Sequence, residues 1–132
     1  MIGPLCTHCL KPSLLVTGEK VYAHRGDLHH LKFWECAPCG AFVGCHRPNV
    51  GYGDGTRPLG SPANAELRIA RSKAHQVFDG MWKRQHKARK AAYAWLGREL
   101  GLKPEETHIA MFDLKTCHKV ISLCEGLVAR IP

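Results

Sequence analysis

The chain has 132 residues, is 45% hydrophobic and carries a formal net charge of +8. This length fits one domain, or a small module joined to a helical region, with a modest core. No apolar run approaches the roughly 20 residues that span a bilayer, and the first residues lack the pattern of a signal peptide. We therefore expect a cytoplasmic protein without a membrane partner.

Two Cys-x-x-Cys pairs, 6–9 and 36–39, are separated by 26 residues. Zinc favours four tetrahedral sulfur ligands, and two residues between cysteines let a tight turn aim both sulfurs at one ion. The pattern predicts a zinc ribbon in which Zn²⁺ is bound by four residues, Cys6, Cys9, Cys36 and Cys39. A disulfide pair, an iron–sulfur centre and chance are the alternatives. The odd total of seven cysteines suits a reducing compartment better than a disulfide framework.

Short strands are expected around the cysteine pairs. A hairpin is predicted from Leu14–Thr17, through a turn at 18–20, to residues 21–22. Residues 31–35 should form a strand into the second pair and residues 41–44 a strand out of it. Gly40, just after the last cysteine, should adopt a positive φ. The histidines of the intervening loop, residues 24–30, are expected to be solvated rather than metal ligands.

The chain after the ribbon is expected to be an irregular connector and then helices. Residues 47–61 contain too many Gly and Pro for regular structure. The first helix is predicted over residues 62–78, with Ser61 as N-cap, Pro62 in the first position and a stop at residues 79–80. A second helix should stop at Gly101, and a third should run from Asp113 to Gly126.

These elements predict an α+β chain in three parts. They are a zinc ribbon over residues 1–46, a connector over 47–61 and a helical region over 62–132 that packs on the ribbon.

Positive charge is concentrated in the helical region. Residues 62–103 contain 10 Lys and Arg against 3 Asp and Glu, whereas residues 1–61 contain 6 against 4. A basic face on a small protein is typical of nucleic-acid binders, although it also promotes solubility. The densest run predicts five residues that contact phosphates of DNA or RNA, namely Lys83, Arg84, Lys87, Arg89 and Lys90.

A few polar residues are reserve candidates for catalysis. Arg71, His75 and Asp79 recur at four-residue intervals on the first predicted helix, with Arg68 on the same flank and His46 beside the ribbon. An Asp four residues after a His can fix its tautomer, but an ordinary helix-flank interaction is the preferred interpretation. Cys45, Cys117 and Cys124 are expected to be free thiols rather than ligands of a second metal.

A set of motifs in fixed order resembles a known family. The motifs are Trp34-x-Cys36-x-x-Cys39, Val43-Gly44-x-His46, Pro58-Leu59-Gly60, Ala65-Glu66-Leu67-Arg68, Ala74-His75-x-x-Phe78-Asp79-x-x-Trp82, Ala92-Tyr93-x-Trp95-Leu96 and His108-Ile109-x-Met111-Phe112-Asp113. They are similar to a phage and prophage family of zinc-finger-containing proteins of unknown function. The resemblance covers nearly the whole chain and implies the same four cysteine ligands. It assigns no role to the polar residues.

Three functions are consistent with the sequence. The preferred hypothesis is a phage accessory protein that binds nucleic acid through the basic helical region. The alternatives are a protein that binds and modulates a host protein, and a nuclease or other hydrolase that uses His75 and Asp79. Four thiolates leave zinc no open coordination position, so an enzyme would need a separate site. An enzymatic role is therefore the less favoured interpretation, and the sequence leaves the oligomeric state undetermined.

Overall fold

The chain contains two compact units, Met1–Ala65 and Glu66–Pro132. The computed structural model describes residues 3–49 and 53–129. The first unit contains three short strands and the four paired cysteines, and the second contains the long helices. This confirms the predicted α+β class. No helix of the described residues is both long and apolar enough to cross a membrane.

The strands form one antiparallel sheet in the order β1-β2-β3. β1 spans Leu14–Thr17, β2 spans Lys32–Cys36 and β3 spans Ala41–Gly44. Trp34, in the central strand, lies opposite Leu15 on one side and Val43 on the other. The predicted strands before and after the second cysteine pair are therefore confirmed.

The predicted hairpin between residues 14 and 22 is wrong. Residues Gly18–Val21 form a single helical turn, α1, and β1 pairs with β2 instead. The Gly18 N–H donates to the Leu31 carbonyl at 2.8 Å, and a Cβ at Gly18 would lie 1.8 Å from the Leu28 carbonyl oxygen. Only glycine permits this close approach, and it turns the chain away from a hairpin.

Tyr22, which was predicted to lie in the second strand of the hairpin, belongs instead to an aromatic cluster. Tyr22 packs edge-on against Phe33 and Phe42, with ring centroids 5.5 Å apart in both cases. Phe33 and Phe42 make the third edge-on pair at 6.0 Å. These three rings form a small apolar cluster beside the sheet, and Tyr22 contributes to it from outside any strand.

The described residues 45–49 and 53–59 pair with each other in an irregular arrangement on the first unit, which we call the irregular hairpin. Cys45 pairs with Pro58, and the His46 N–H donates to the Arg57 carbonyl at 2.8 Å. The Trp34 indole N–H donates to the Thr56 carbonyl at 2.7 Å, although residues 50–52 lie outside the described part. The described part of this Gly/Pro-rich segment contains no helix or strand, and the Leu59 N–H donates to the Gly44 carbonyl at the end of β3.

The first long helix begins later than predicted, because the residues before it are used by the sheet. Ala63 and Phe42 exchange two backbone hydrogen bonds of 3.0 Å. Ala63 therefore forms an isolated bridge to β3, and α2 spans Ala65–Arg84. The N-cap role predicted for Ser61 is wrong.

The predicted stop at residues 79–80 is also wrong. The Asp79 carboxylate accepts the Trp82 indole N–H at 3.0 Å within a helix that continues to Arg84. The actual end is at His86, which has a φ of 54°. The His86 N–H donates to the Lys83 carbonyl and the Lys87 N–H to the Trp82 carbonyl. This paired arrangement is a Schellman motif, and it satisfies the last carbonyls of α2.

The other two helices agree better with the sequence. α3 spans Arg89–Leu100 and ends at Gly101, whose φ is 69°. α4 spans Leu114–Ala129, and the Asp113 carboxylate accepts the Thr116 N–H at 2.8 Å as a helix cap. The predicted end at Gly126 is wrong, since that glycine lies inside α4.

The helices of the second unit bury a continuous set of apolar side chains. Phe78, Leu96 and Val120 are fully buried, and so are the free thiols Cys117 and Cys124. Burial raises the pKa of Cys124 to about 11, so this thiol stays protonated at neutral pH. The predicted packed thiols are confirmed.

Gly80 and Gly101 provide a matched pair of substitutions. A Cβ at either position meets no atom within 4 Å, but only Gly101 has a positive φ. We expect Gly80→Ala to increase the free energy of unfolding by about 1 kcal/mol, the helix-interior difference between the two residues. Gly101→Ala should decrease it by about 1 kcal/mol, because alanine is strained in the left-handed region. Urea denaturation measures both, and a loss of stability in Gly80→Ala would contradict an uninterrupted α2.

Candidate metal centre

The two Cys-x-x-Cys pairs meet at one point of the first unit. The four sulfurs, from Cys6, Cys9, Cys36 and Cys39, all lie within 4.8 Å of one another. The Sγ atoms of Cys9 and Cys36 are 3.7 Å apart. Cys6 and Cys36 are buried, whereas Cys9 and Cys39 are half-buried. Among the described residues, this is the only group of three or more His, Cys, Asp or Glu that could hold a metal ion.

Each pair sits on a tight turn with the same backbone feature. The Leu10 N–H donates to the Cys6 carbonyl at 2.9 Å, and the Gly40 N–H donates to the Ala37 carbonyl at 3.2 Å. Leu10 and Gly40, each just after the second cysteine of its pair, have φ values of 63° and 64°. The positive φ predicted for Gly40 is confirmed. Leucine at the equivalent position of the first turn has the strain that glycine avoids.

The sulfur distances fit a zinc ion. Zn–S bonds of about 2.3 Å in a tetrahedron place the sulfurs about 3.8 Å apart, close to the 3.7 Å between Cys9 and Cys36. A disulfide needs about 2.05 Å, and all seven cysteines are free. Four sulfurs this close leave room for a single ion. The donor set therefore fits Zn²⁺, with four soft ligands and no position for water or substrate.

The electrostatics of the cluster also favour a bound cation. A hydrogen bond from the Lys11 backbone lowers the pKa of Cys9 to about 7 from 9.0. The hydrogen bond with Cys9 raises the pKa of Cys39 to about 12, and burial raises that of Cys36. One thiolate thus forms readily and opposes ionisation of its neighbours. A divalent ion removes this conflict, since it stabilises all four thiolates together.

Two residues inside the first turn, Thr7 and His8, make hydrogen bonds that the sequence does not predict. The Thr7 hydroxyl donates to the Ser61 hydroxyl at 3.1 Å. His8 Nε2 accepts a hydrogen bond from the Asn64 backbone N–H at 3.1 Å, and His8 does not belong to the metal-binding group. The first cysteine turn is thereby tied to the segment that pairs with β3. No sequence signal indicates these bonds, because they join residues more than 50 positions apart.

The loop histidines are not metal ligands in the structure. His29 Nε2 donates to the carbonyls of Tyr22 and Ala23 at 3.1 and 3.2 Å. His24 and His30 are exposed. Cys45 and His46 are half-buried on the irregular hairpin and do not belong to the cysteine cluster. The exposure of His24 and His30 agrees with the expected solvated histidines, whereas His29 is half-buried and hydrogen-bonded, contrary to that expectation.

The residues considered for catalysis have structural contacts. Arg71 is buried and its Nε donates to the Phe112 carbonyl at 2.9 Å. His75 Nδ1 lies 3.8 Å from the Asp79 carboxylate, which also accepts the Trp82 indole N–H. Arg68 is half-buried on the same helix. Arg71 therefore joins α2 to the segment before α4, and the contact between His75 and Asp79 is that of an ordinary helix flank.

The five basic residues predicted to bind phosphates lie around the turn between α2 and α3, which we call the basic turn. All five, Lys83, Arg84, Lys87, Arg89 and Lys90, are exposed. None forms a salt bridge with a described carboxylate. Three of the cations rest over half-buried rings, with Lys83 5.6 Å from Trp82, Lys87 5.9 Å from Trp95 and Arg89 4.9 Å from Tyr93.

A family model described as a zinc-finger-containing domain matches residues 3–126. The match covers the four cysteines and all the long helices up to Gly126. Neither the curated proteins nor the solved structures contain a match to the chain.

Removing one ligand should abolish metal binding, while removing an unpaired thiol should not. We expect purified protein to contain one zinc per chain, Cys36→Ser to contain almost none, and Cys45→Ser to retain it. A serine hydroxyl does not replace the thiolate that zinc prefers. Elemental analysis of the three proteins provides the test. Equal zinc contents in the two variants would rule out the cysteine cluster as the binding site.

The left-handed residue of the second turn should matter for zinc retention. A Cβ at Gly40 meets no atom within 4 Å, so the cost of Gly40→Ala comes from its φ of 64° alone. We expect the zinc-bound state to lose about 1 kcal/mol, a roughly fivefold weaker affinity in competition with a chelator. Gly26→Ala is the control, because Gly26 has equal space and no positive φ. Unchanged affinity in Gly40→Ala would contradict the turn geometry.

Proposed function

Because the chain belongs to the family with a zinc-finger-containing domain, we propose that it is a zinc-stabilised protein that binds DNA or RNA through the basic turn. The zinc has a structural role, since four thiolates occupy all of its coordination positions. The positive side chains around α2 and α3 contact phosphates without reading the bases. A phage-encoded accessory role remains an expectation that the sequence resemblance supports.

The observation that carries this proposal is the placement of cations at the start of α3. Arg89 and Lys90 occupy the first turn of the helix, which contains no acidic residue, and Ala88 provides no side-chain cap. Positive charge is unfavourable there, because the first N–H groups already form the positive end of the helix dipole. An approaching phosphate can accept hydrogen bonds from these N–H groups and pair with both cations. Binding of an anion would therefore offset the unfavourable electrostatic energy that Arg89 and Lys90 have in the first turn of α3.

The cations at the end of α2 are less informative alone. Lys83 and Arg84 lie in the last turn of that helix, where positive charge is favourable without any ligand. They support the proposed binding surface because only the short Schellman turn at His86 separates this end of α2 from the start of α3. The turn has a defined backbone, so the two groups of cations have a fixed separation. Such preorganisation lowers the entropy cost of contacting several phosphates together.

The binding should depend strongly on salt. If all five cations contact phosphates, log Kobs should fall with log[salt] with a slope of roughly −3.5 to −4.5. Fluorescence anisotropy with labelled oligonucleotides over a range of salt concentrations measures the slope. No binding at low salt would reject the proposed function.

Lys90→Gln separates a binding role from a structural one. We expect weaker nucleic-acid binding with the salt slope reduced by about 1, because one phosphate contact is lost. The same change should raise the free energy of unfolding by about 0.3–1 kcal/mol, because it removes a cation from the helix start. Lys20→Gln, at an exposed lysine of the first unit, is the control and should leave binding unchanged. Lower stability in Lys90→Gln with unaltered binding would contradict the account.

A second candidate function is binding of a partner protein. An open groove of about 970 Å³ is lined by Leu100 of α3 and by Leu114 and Leu123 of α4. Half-buried leucines in a groove of this size are typical of surfaces that accept an apolar segment. A pull-down from lysate treated with nuclease separates the two functions. Stoichiometric recovery of one protein, combined with absence of oligonucleotide binding, would favour this candidate.

A further inference from the structure

The first unit contains a cavity that is separate from the cysteine cluster. Its volume is about 410 Å³, and none of the four paired cysteines lines it. The start of β2 and the end of β3 form one side, and residues 45–48, 54–55 and 59 of the irregular hairpin form the other. This volume is in the range of small-ligand pockets, which run from about 300 to 1,000 Å³.

The inner surface of the cavity is mainly apolar. Phe33, which is buried, lines the cavity together with Leu31 and Leu59, which are 36% and 51% exposed. Pro48 lies against Gly55, where an added Cβ would approach the proline ring to 3.1 Å. The hairpin is therefore packed tightly beside the cavity while two leucines at the cavity remain uncovered. Apolar side chains left exposed beside a formed cavity are typical of ligand sites.

The charged groups at the cavity are predominantly basic. Lys32 and Arg47 are exposed, line the cavity and form no salt bridge with a described residue. The acidic group is Asp54, whose carboxylate accepts the Thr56 N–H at 3.1 Å and its hydroxyl at 2.6 Å. These bonds lower the pKa of Asp54 and keep it ionised within its own loop. The positive charge of Lys32 also lowers the pKa of Asp54, so that carboxylate offsets part of the positive charge at the cavity. Two cations against one carboxylate still leave a net positive charge, which favours an anionic ligand.

We propose that this cavity binds one unpaired nucleotide, with the base against the apolar surface and the phosphate near Lys32 and Arg47. The inference rests on the proposed function and specifies its partner as a single strand. A single strand offers a flat, largely apolar base next to a phosphate, whereas a duplex keeps its bases stacked inside. A cavity that combines an apolar floor with exposed cations matches that pair of groups.

Cys45 provides a direct reporter of cavity occupancy. It lines the cavity and is half-buried. Of the other six cysteines, four form the metal cluster, and Cys117 and Cys124 are 0% exposed. In zinc-loaded protein, alkylation by iodoacetamide should therefore occur mainly at Cys45, and mass spectrometry of the peptides identifies the modified residue. Cys45→Ser serves as the labelling control.

The experiment compares three ligands of equal length at ten times their measured Kd. A single-stranded oligonucleotide should slow alkylation of Cys45 by about tenfold, the reduction expected when a site is filled at this excess. A strand with abasic sites throughout and a duplex should leave the rate nearly unchanged. In a parallel anisotropy measurement, Arg47→Gln should weaken binding of the single strand and leave duplex binding unaltered.

The outcomes distinguish the two proposals. If the single strand binds but Cys45 reacts at the same rate, the cavity is not its site, and the role of the basic turn is unaffected. Equal protection by the abasic strand would overturn base insertion in favour of phosphate contact alone. If neither strand nor duplex binds at low salt, the proposed function fails and this inference fails with it.

Discussion

Convergence of four cysteine sulfurs is the constraint on which the first unit depends. The strands are only four or five residues long, and the aromatic core consists mainly of Tyr22, Phe33 and Phe42. Such short strands bury too little apolar surface for independent stability. A metal ion bound by both cysteine pairs would supply the missing free energy, because such binding is coupled to folding. Four thiolate ligands would leave that ion no open position for a substrate.

The second unit does not depend on this constraint in the same way. Its helices bury Phe78, Leu96 and Val120, and Arg71 ties α2 to the backbone at Phe112. The exposed residues between α2 and α3 do not belong to this core. The cations at the start of α3 oppose the helix dipole. The proposed binding of nucleic acid rests on this feature, because an anion would offset the cost.

Several local features could be predicted from the sequence, whereas the long-range contacts and some helix ends, such as the one predicted at Gly126, could not. The cysteine turns, the φ of Gly40, the end of α3 and the cap at Asp113 each depend on a few adjacent residues, and all are found. The hairpin at residues 14–22 and the helix start at Ser61 were wrong, since contacts with Leu31 and Phe42 override the local preferences. Asp79 and Gly80 resemble a helix stop, yet the bond to Trp82 and the packing of Met81 maintain the helix. The bond from Asn64 to His8 had no local signal.

The central claim is that one ion held by four cysteine sulfurs organises the first unit. X-ray absorption at the zinc edge of the purified protein tests it most directly. The account predicts a single shell of four sulfur atoms at about 2.3 Å, with no nitrogen or oxygen ligand. A first shell that contains nitrogen or oxygen, or the absence of bound zinc, would contradict it.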